Sequence, residues 1–178
     1  VPTGEKDPNG LRRAALGVIR IVVENQLPLA LNELVREAFA VYNGRIGDAQ
    51  TDVLNFVFER FSGYLGEHGY STLQVDAVLS KHPLQISRVP QQLEAVQAFQ
   101  ALPEAESLAA ANKRVANILR QAEGRGERYD KVRRDELAEP AEIALFDALQ
   151  KASASADKLF KQGDYTGYLK TFAVLKAP

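Results

Sequence analysis

The sequence predicts an all-α protein, and three observations carry that expectation. Apolar residues recur at the three- and four-residue spacing of helices along nearly the whole chain. No segment alternates apolar and polar residues for long enough to make a strand, and no repeat of fixed period occurs. The breaks between the periodic stretches carry helix punctuation, such as Asp-Pro, Glu-Pro, His-Pro and Asn-Gly pairs. The chain has 178 residues, enough for one well-packed domain, or one domain and part of another. Its 46% hydrophobic and 25% charged content suits a folded globular chain rather than a disordered one.

Each element has a local reason. Asp7-Pro8 reads as an N-cap followed by proline at the first helical position, where the missing N–H costs nothing. From Leu11 to Val23 apolar residues lie on most sides, which predicts a deeply buried helix; Arg13, Gly17, Arg20 and Glu24 form its one narrow polar stripe. A second helix is expected over 31–42, and "NGRIGD" (43–48) then breaks the chain at a domain boundary. The third, over 49–68, sets Leu54, Phe58, Phe61 and Leu65 on one face beside Val53, Val57 and Tyr64, with Gly69 as its C-terminal cap.

Ser71 can cap a short helix to Ser80, which His82-Pro83 ends. Ser87 is expected to cap the next, whose Val89, Leu93, Val96 and Phe99 keep helical spacing. Pro103 opens the helix that contains "LAAANKRVANILRQA" (108–122). "EGRGERYDKVRR" (123–134) has almost no apolar residues and reads as a solvated linker. Glu139-Pro140 starts a helix to roughly Leu149, and 165–175 is the last.

The net charge of −1 hides an uneven distribution: +1 over 1–47, −5 over 48–107, +5 over 108–134 and −2 over 135–178. One basic segment in an otherwise acidic chain is a nucleic-acid signal, although weaker than a motif. No apolar run approaches the ~20 residues that cross a bilayer, so no membrane role is expected, and no signal-peptide pattern is present. The absence of Cys fits a cytoplasmic protein, and the absence of Met reads as a fragment.

Catalytic constellations are not found. His68 and His82 belong to no metal-binding or His-Asp arrangement, and both read as surface residues. There is no phosphate-cradling glycine loop, no nucleophile elbow and no thiol. Asp135, Glu136, Glu139 and Glu142 cluster at a helix N-terminus, where the helix dipole accounts for them. No catalytic residue, cofactor site or metal site is therefore expected within these residues.

The binding candidates lie on the helix around 108–122. At 100° per residue, Leu108, Ala111, Val115, Ile118, Leu119 and Ala122 share one side. Lys113, Asn117 and Arg120 share the other, flanked by Arg114 and Gln121, with Asn112 at the border. The ridge is either a solvated face or a face for a partner. No acid occurs between Ser107 and Glu123, whereas a merely solubilising face usually mixes signs.

Several stretches together resemble the C-terminal part of the beta subunit of bacterial heterotetrameric glycyl-tRNA synthetase. They are "VPTGEKDPNGLRRAALGVIRIVVE" (1–24), "DVLNFVFERFSGYLGEHGY" (52–70), "LAAANKRVANILRQA" and "LAEPAEIALFDAL" (137–149). The resemblance implies an HD-like domain whose C-terminal helices are residues 1–47. It implies for 48–178 a helical anticodon-binding domain of the arginyl-tRNA-synthetase type, incomplete because "VLKAP" (174–178) precedes the family's final helices. Membership of arginyl-tRNA synthetase itself is the weaker reading, since "DPNGLRRAALGV" argues against it.

The resemblance further implies a class II ligase that joins glycine to its tRNA with ATP and Mg²⁺ in an alpha2beta2 assembly. The alpha subunit would hold the active site, and the beta subunit most of the tRNA contact. Carried over by position, Arg12 and Arg13 of "LRRAALGV" fall in the HD-like domain; Arg60 of "FERF" and Lys113 and Arg114 of "NKRVANIL" fall in the anticodon-binding domain. With Asn112, Asn117 and Arg120 these make up the tRNA-binding candidates. Ser62 stands where the family commonly has a basic residue, and no His-Asp pair occurs within 1–47. The rival reading is a helical scaffold whose basic segment docks an acidic partner subunit.

Overall fold

The computed structural model describes residue 7, residues 9–127 and residues 131–176. Among them are eight α-helices and no strand, in agreement with the all-α expectation. The helices are α1 (Leu11–Glu24), α2 (Leu31–Val41), α3 (Gln50–Glu67), α4 (Thr72–Leu79), α5 (Val89–Gln100), α6 (Ala105–Gly124), α7 (Pro140–Gln162) and α8 (Tyr165–Thr171). The chain forms two compact units that divide between Leu93 and Glu94. That division differs from the sequence break at 47/48 because α3 lies against both α1 and α2.

In the first unit α1 begins at Leu11, behind a left-handed Gly10 (φ 64°). Asp7 still caps it: its carboxylate accepts from the backbone N–H of Leu11 at 2.8 Å, Arg12 at 3.1 Å and Arg13 at 3.4 Å. A carboxylate there satisfies orphan donors and complements the helix dipole. The proposed place of Pro8 at the first helical position lies outside the described residues. Ile19, Val22 and Val23 are buried on α1, which packs against α3 and the 86–88 turn; Phe61 and Leu65 of α3, Val75 of α4, and Ile86, Val89 and Leu93 are buried in the same unit.

Two punctuation marks behave as expected. Ser71 and Gln74 form a reciprocal capping box at the start of α4, and Gly69 (φ 91°) turns the chain out of α3. Ser87 does not cap α5; it is buried within a 3₁₀ turn over Ile86–Arg88, which packs against α1. Burial of Ile86 beside Val89 makes that turn part of the core rather than a loop before a helix.

In the second unit α7 runs to Gln162, well beyond the expected end near Leu149. Nothing breaks the helix until Gly163 (φ 80°), and Ala152, Ala156 and Leu159 keep a weak apolar stripe at spacings of four and three. The Glu139–Glu142 box caps its start. The expected last helix divides into α8 and a 3₁₀ stretch over Phe172–Lys176.

α7 and α8 form a hairpin held by edge-to-face rings. Phe160 meets Tyr165 and Tyr168 at 5.3 Å each, and Tyr168 meets Phe172 at the same distance. The fully buried residues described here are otherwise small: Ala95, Ala105, Ala122, Ala152 and Ala156 join Tyr165. Val96 and Phe99 are half-buried, short of the full burial expected from their stripe, because alanines leave them no deep layer to enter.

Candidate nucleic-acid interface

The basic segment 108–134 separates into two electrostatic environments. Past α6 the described arginines are neutralised locally. Arg125 pairs with Glu127 at 2.8 Å, and Arg133 pairs with Asp135 at 2.7 Å and Glu136 at 3.4 Å. Arg134 reaches thirteen residues to Asp147, donating from Nε and Nη2 at 2.9 and 3.0 Å. These bonds hold the Asp135 and Asp147 carboxyls below the ordinary carboxylate value and raise both guanidiniums. The acids responsible for two of these pairs lie two residues from their arginine, a signal already present in the sequence.

On α6 the opposite holds. Residues 109–121 are all exposed, and among the described residues none of Lys113, Arg114 and Arg120 forms an ion pair. Arg120 Nη1 donates to Asn117 Oδ1 at 3.4 Å, which ties two members of the ridge at helical spacing. Asn112 is exposed on the same helix. The helix therefore offers three uncompensated cations and two amides to solvent. Such a set can neutralise phosphates, and amides and guanidiniums can hydrogen-bond or stack on unpaired bases.

The apolar side of α6 is not buried as its periodicity suggested. Only Ala122 is enclosed and Leu108 half-enclosed, while Val115, Ile118 and Leu119 are 53%, 55% and 43% exposed. The cause is a shortage of neighbours: in its unit α6 is packed mainly by the 3₁₀ stretch over 172–176. Periodicity identified an apolar face correctly but could not supply an element to cover it.

The remaining candidates belong to the first unit. Arg13 is exposed and folds back towards Gly10; Arg12 is half-buried behind the Asp7 cap. Arg60 is half-buried, pairs with Glu59, and lies over the Phe56 ring with its guanidinium 5.7 Å from the ring centre. The cation–π contact uses the i, i+4 spacing of "NFVFER", a pairing that charge counting overlooked. Arg60 thus has protein partners that the α6 cations lack. The structure brings Lys113, Arg114, Asn117 and Arg120 onto one accessible helix and does not add Arg60 to that helix.

His68 donates from Nδ1–H to the Tyr64 carbonyl at 2.7 Å, and its ring lies 4.1 Å from the Tyr64 ring. His82 (φ 46°) meets Phe58 edge-on at 5.3 Å. Both are thereby accounted for by packing. Among the described residues no group of three or more His, Cys, Asp or Glu side chains could hold a metal ion.

A family model described as glycyl-tRNA synthetase beta subunit matches residues 1–80. The chain is similar along its length to curated glycine–tRNA ligase beta subunits. It is 56% identical to that of Thiobacillus denitrificans over 99% of this chain, and 50% to that of Paracidovorax citrulli over 100%. Identity to the Leptothrix cholodnii protein is 49% over 100% of this chain. The chain spans about a quarter of each relative's length, at 25% in all three.

Proposed function

The chain belongs to the glycyl-tRNA synthetase beta subunit family, and from that premise we propose that residues 1–178 form part of the tRNA-binding portion of a glycine–tRNA ligase. The observation that supports this most is α6, where Lys113, Arg114 and Arg120 stand exposed with no ion-pair partner among the described residues. In this reading Lys113 and Arg114 neutralise phosphates of the glycine tRNA, while Asn112, Asn117 and Arg120 contact splayed bases of a single-stranded loop. Arg12 and Arg13 contribute from the first unit, and Arg60 less than its sequence position suggested, because Glu59 and Phe56 already engage it.

In this reading residues 1–47 belong to the HD-like domain and 48–178 to the anticodon-binding domain, a boundary that falls inside the first compact unit. The whole enzyme, in the cytoplasm, joins glycine to tRNA in an assembly of two alpha and two beta subunits. ATP and Mg²⁺ serve the alpha subunit in this reading rather than residues 1–178. Adenylate chemistry falls to that subunit, and residues 1–178 contribute tRNA contact.

The test is tRNA affinity of the intact alpha/beta enzyme as a function of salt. Lys113→Ala is expected to weaken binding and to lower the salt slope by roughly one unit, as loss of one phosphate contact does. Unchanged affinity and slope in a triple Lys113→Ala, Arg114→Ala, Arg120→Ala variant would make the ridge a solvated face.

A second reading, a scaffold that docks a partner subunit, is favoured by the exposed Val115, Ile118 and Leu119 on the other side of α6. It predicts unchanged tRNA affinity but impaired assembly with the alpha subunit.

A further inference from the structure

Helix α1 has two apolar faces, and only one is used within these residues. Ala15, Ile19, Val22 and Val23 are buried on the side towards α3 and the 86–88 turn. At 100° per residue, Leu11, Ala14, Val18 and Ile21 fall together on a different side. There Leu11, Val18 and Ile21 are 43%, 41% and 58% exposed, and Ala14 is exposed as well. The polar stripe of Arg13, Arg20 and Glu24, with Gly17 at the border between stripe and second face, is all that separates that face from full encirclement. A helix apolar nearly all round suits the interior of a larger body.

Gly17 adds an independent observation. It lies inside the helix beside Ala14 and Ile21, where glycine costs about 0.5–1 kcal/mol relative to alanine. No left-handed φ requires it, and a Cβ built there would meet nothing within 4 Å. A glycine at this position leaves room for another backbone to come close beside Ala14 and Ile21.

We propose that an apolar helix from the part of the beta subunit outside residues 1–178 packs along Leu11, Ala14, Gly17, Val18 and Ile21 of α1. The relatives are about four times as long as this chain, which accounts for 25% of their length, so the same polypeptide can supply the cover. An intramolecular partner also incurs no association entropy, unlike a second copy or the alpha subunit. The arrangement makes α1 an interior helix of the intact subunit, independently of any tRNA contact.

The experiment uses the full-length beta subunit, purified without the alpha subunit, carrying Val18→Cys or Arg20→Cys. Maleimide labelling at each position is followed by peptide mass, in native buffer and in urea. Val18→Cys is expected to label at least ~100-fold more slowly when native than in urea, whereas Arg20→Cys on the polar stripe stays reactive. Equal native rates at the two positions overturn the proposal. Protection that appears only when the alpha subunit is added, or that rises with beta-subunit concentration, also overturns it, by assigning the cover to another chain. Gly17→Leu supplies a second readout in the same full-length subunit. Helix propensity alone would raise its thermal midpoint, whereas a packed neighbour lowers it, so an unchanged or raised midpoint counts against the proposal.

Discussion

Arg134 holds Asp147 through two parallel N–H···O bonds of 2.9 and 3.0 Å, joining the segment before α7 to the exposed side of that helix. The pair removes one arginine from the field available to a polyanion, whereas the cations on α6 carry no such partner among the described residues. The Asp147 carboxyl is held below the ordinary carboxylate value, chiefly by its hydrogen bonds from Arg134. A depressed folded-state value means a contribution present above the ordinary range and lost as pH falls through the lowered one. A carbon-detected NMR titration is expected to place Asp147 below a free aspartate, and Arg134→Ala to return it upwards. An Asp147 titration indifferent to Arg134→Ala would dissolve the pair.

Tyr64 responds at the other end of the pH scale. Burial raises its phenol above the ordinary value of 10.0, Glu24 adds to the rise and Arg20 opposes it. The raised value means stability that is complete below about pH 10 and lost as pH rises through the folded value. Tyrosinate absorbance is expected to show one late-titrating tyrosine, absent in Tyr64→Phe, whose alkaline unfolding should begin at higher pH than that of the parent.

Phe61 and Phe58 share a face of α3, but only Phe61 is fully buried; Phe58 is half-buried with the His82 ring at its edge. Phe61→Ala is expected to cost ~3–5 kcal/mol and Phe58→Ala distinctly less. Denaturant melts of the two variants check the order, and equal losses would mean that Phe58 is packed as deeply as Phe61.

Asp7→Ala removes an acceptor shared by three backbone N–H groups at the start of α1. A loss of ~0.5–2 kcal/mol is expected, with Asp7→Asn recovering part of it. Thermal melts measure the loss, and hydrogen exchange at Leu11 and Arg12 should quicken in Asp7→Ala. No change at those amides would mean that the cap is absent in solution.

On α6 most of the apolar side is exposed to solvent, as is the basic ridge. Because Val115 is 53% exposed, Val115→Ala in residues 1–178 should alter stability by less than about 0.5 kcal/mol, as should Lys113→Ala. A large loss for Val115→Ala, read by thermal melts, would show that its side of α6 is covered after all.

The sequence by itself determined the class, the presence of each described α-helix and the composition of each face, though not where α7 ends. Punctuation placed the ends best where the chemistry is local, as in the Ser71–Gln74 and Glu139–Glu142 boxes and the Gly69 turn. It also placed Lys113, Asn117 and Arg120 on one ridge without an intervening acid, because helical geometry and charge are both written in residue order. The tertiary structure decided what those faces meet. Periodicity says that Val18, Ile21, Val115 and Ile118 lie on apolar faces; burial needs a second surface, and none of the described elements supplies it. The same distinction separates the arginines. Arg133 finds its acids nearby in the chain, but the Arg134–Asp147 pair needed a helix to bring a distant carboxylate within reach, and among the described residues no acid pairs with the α6 cations.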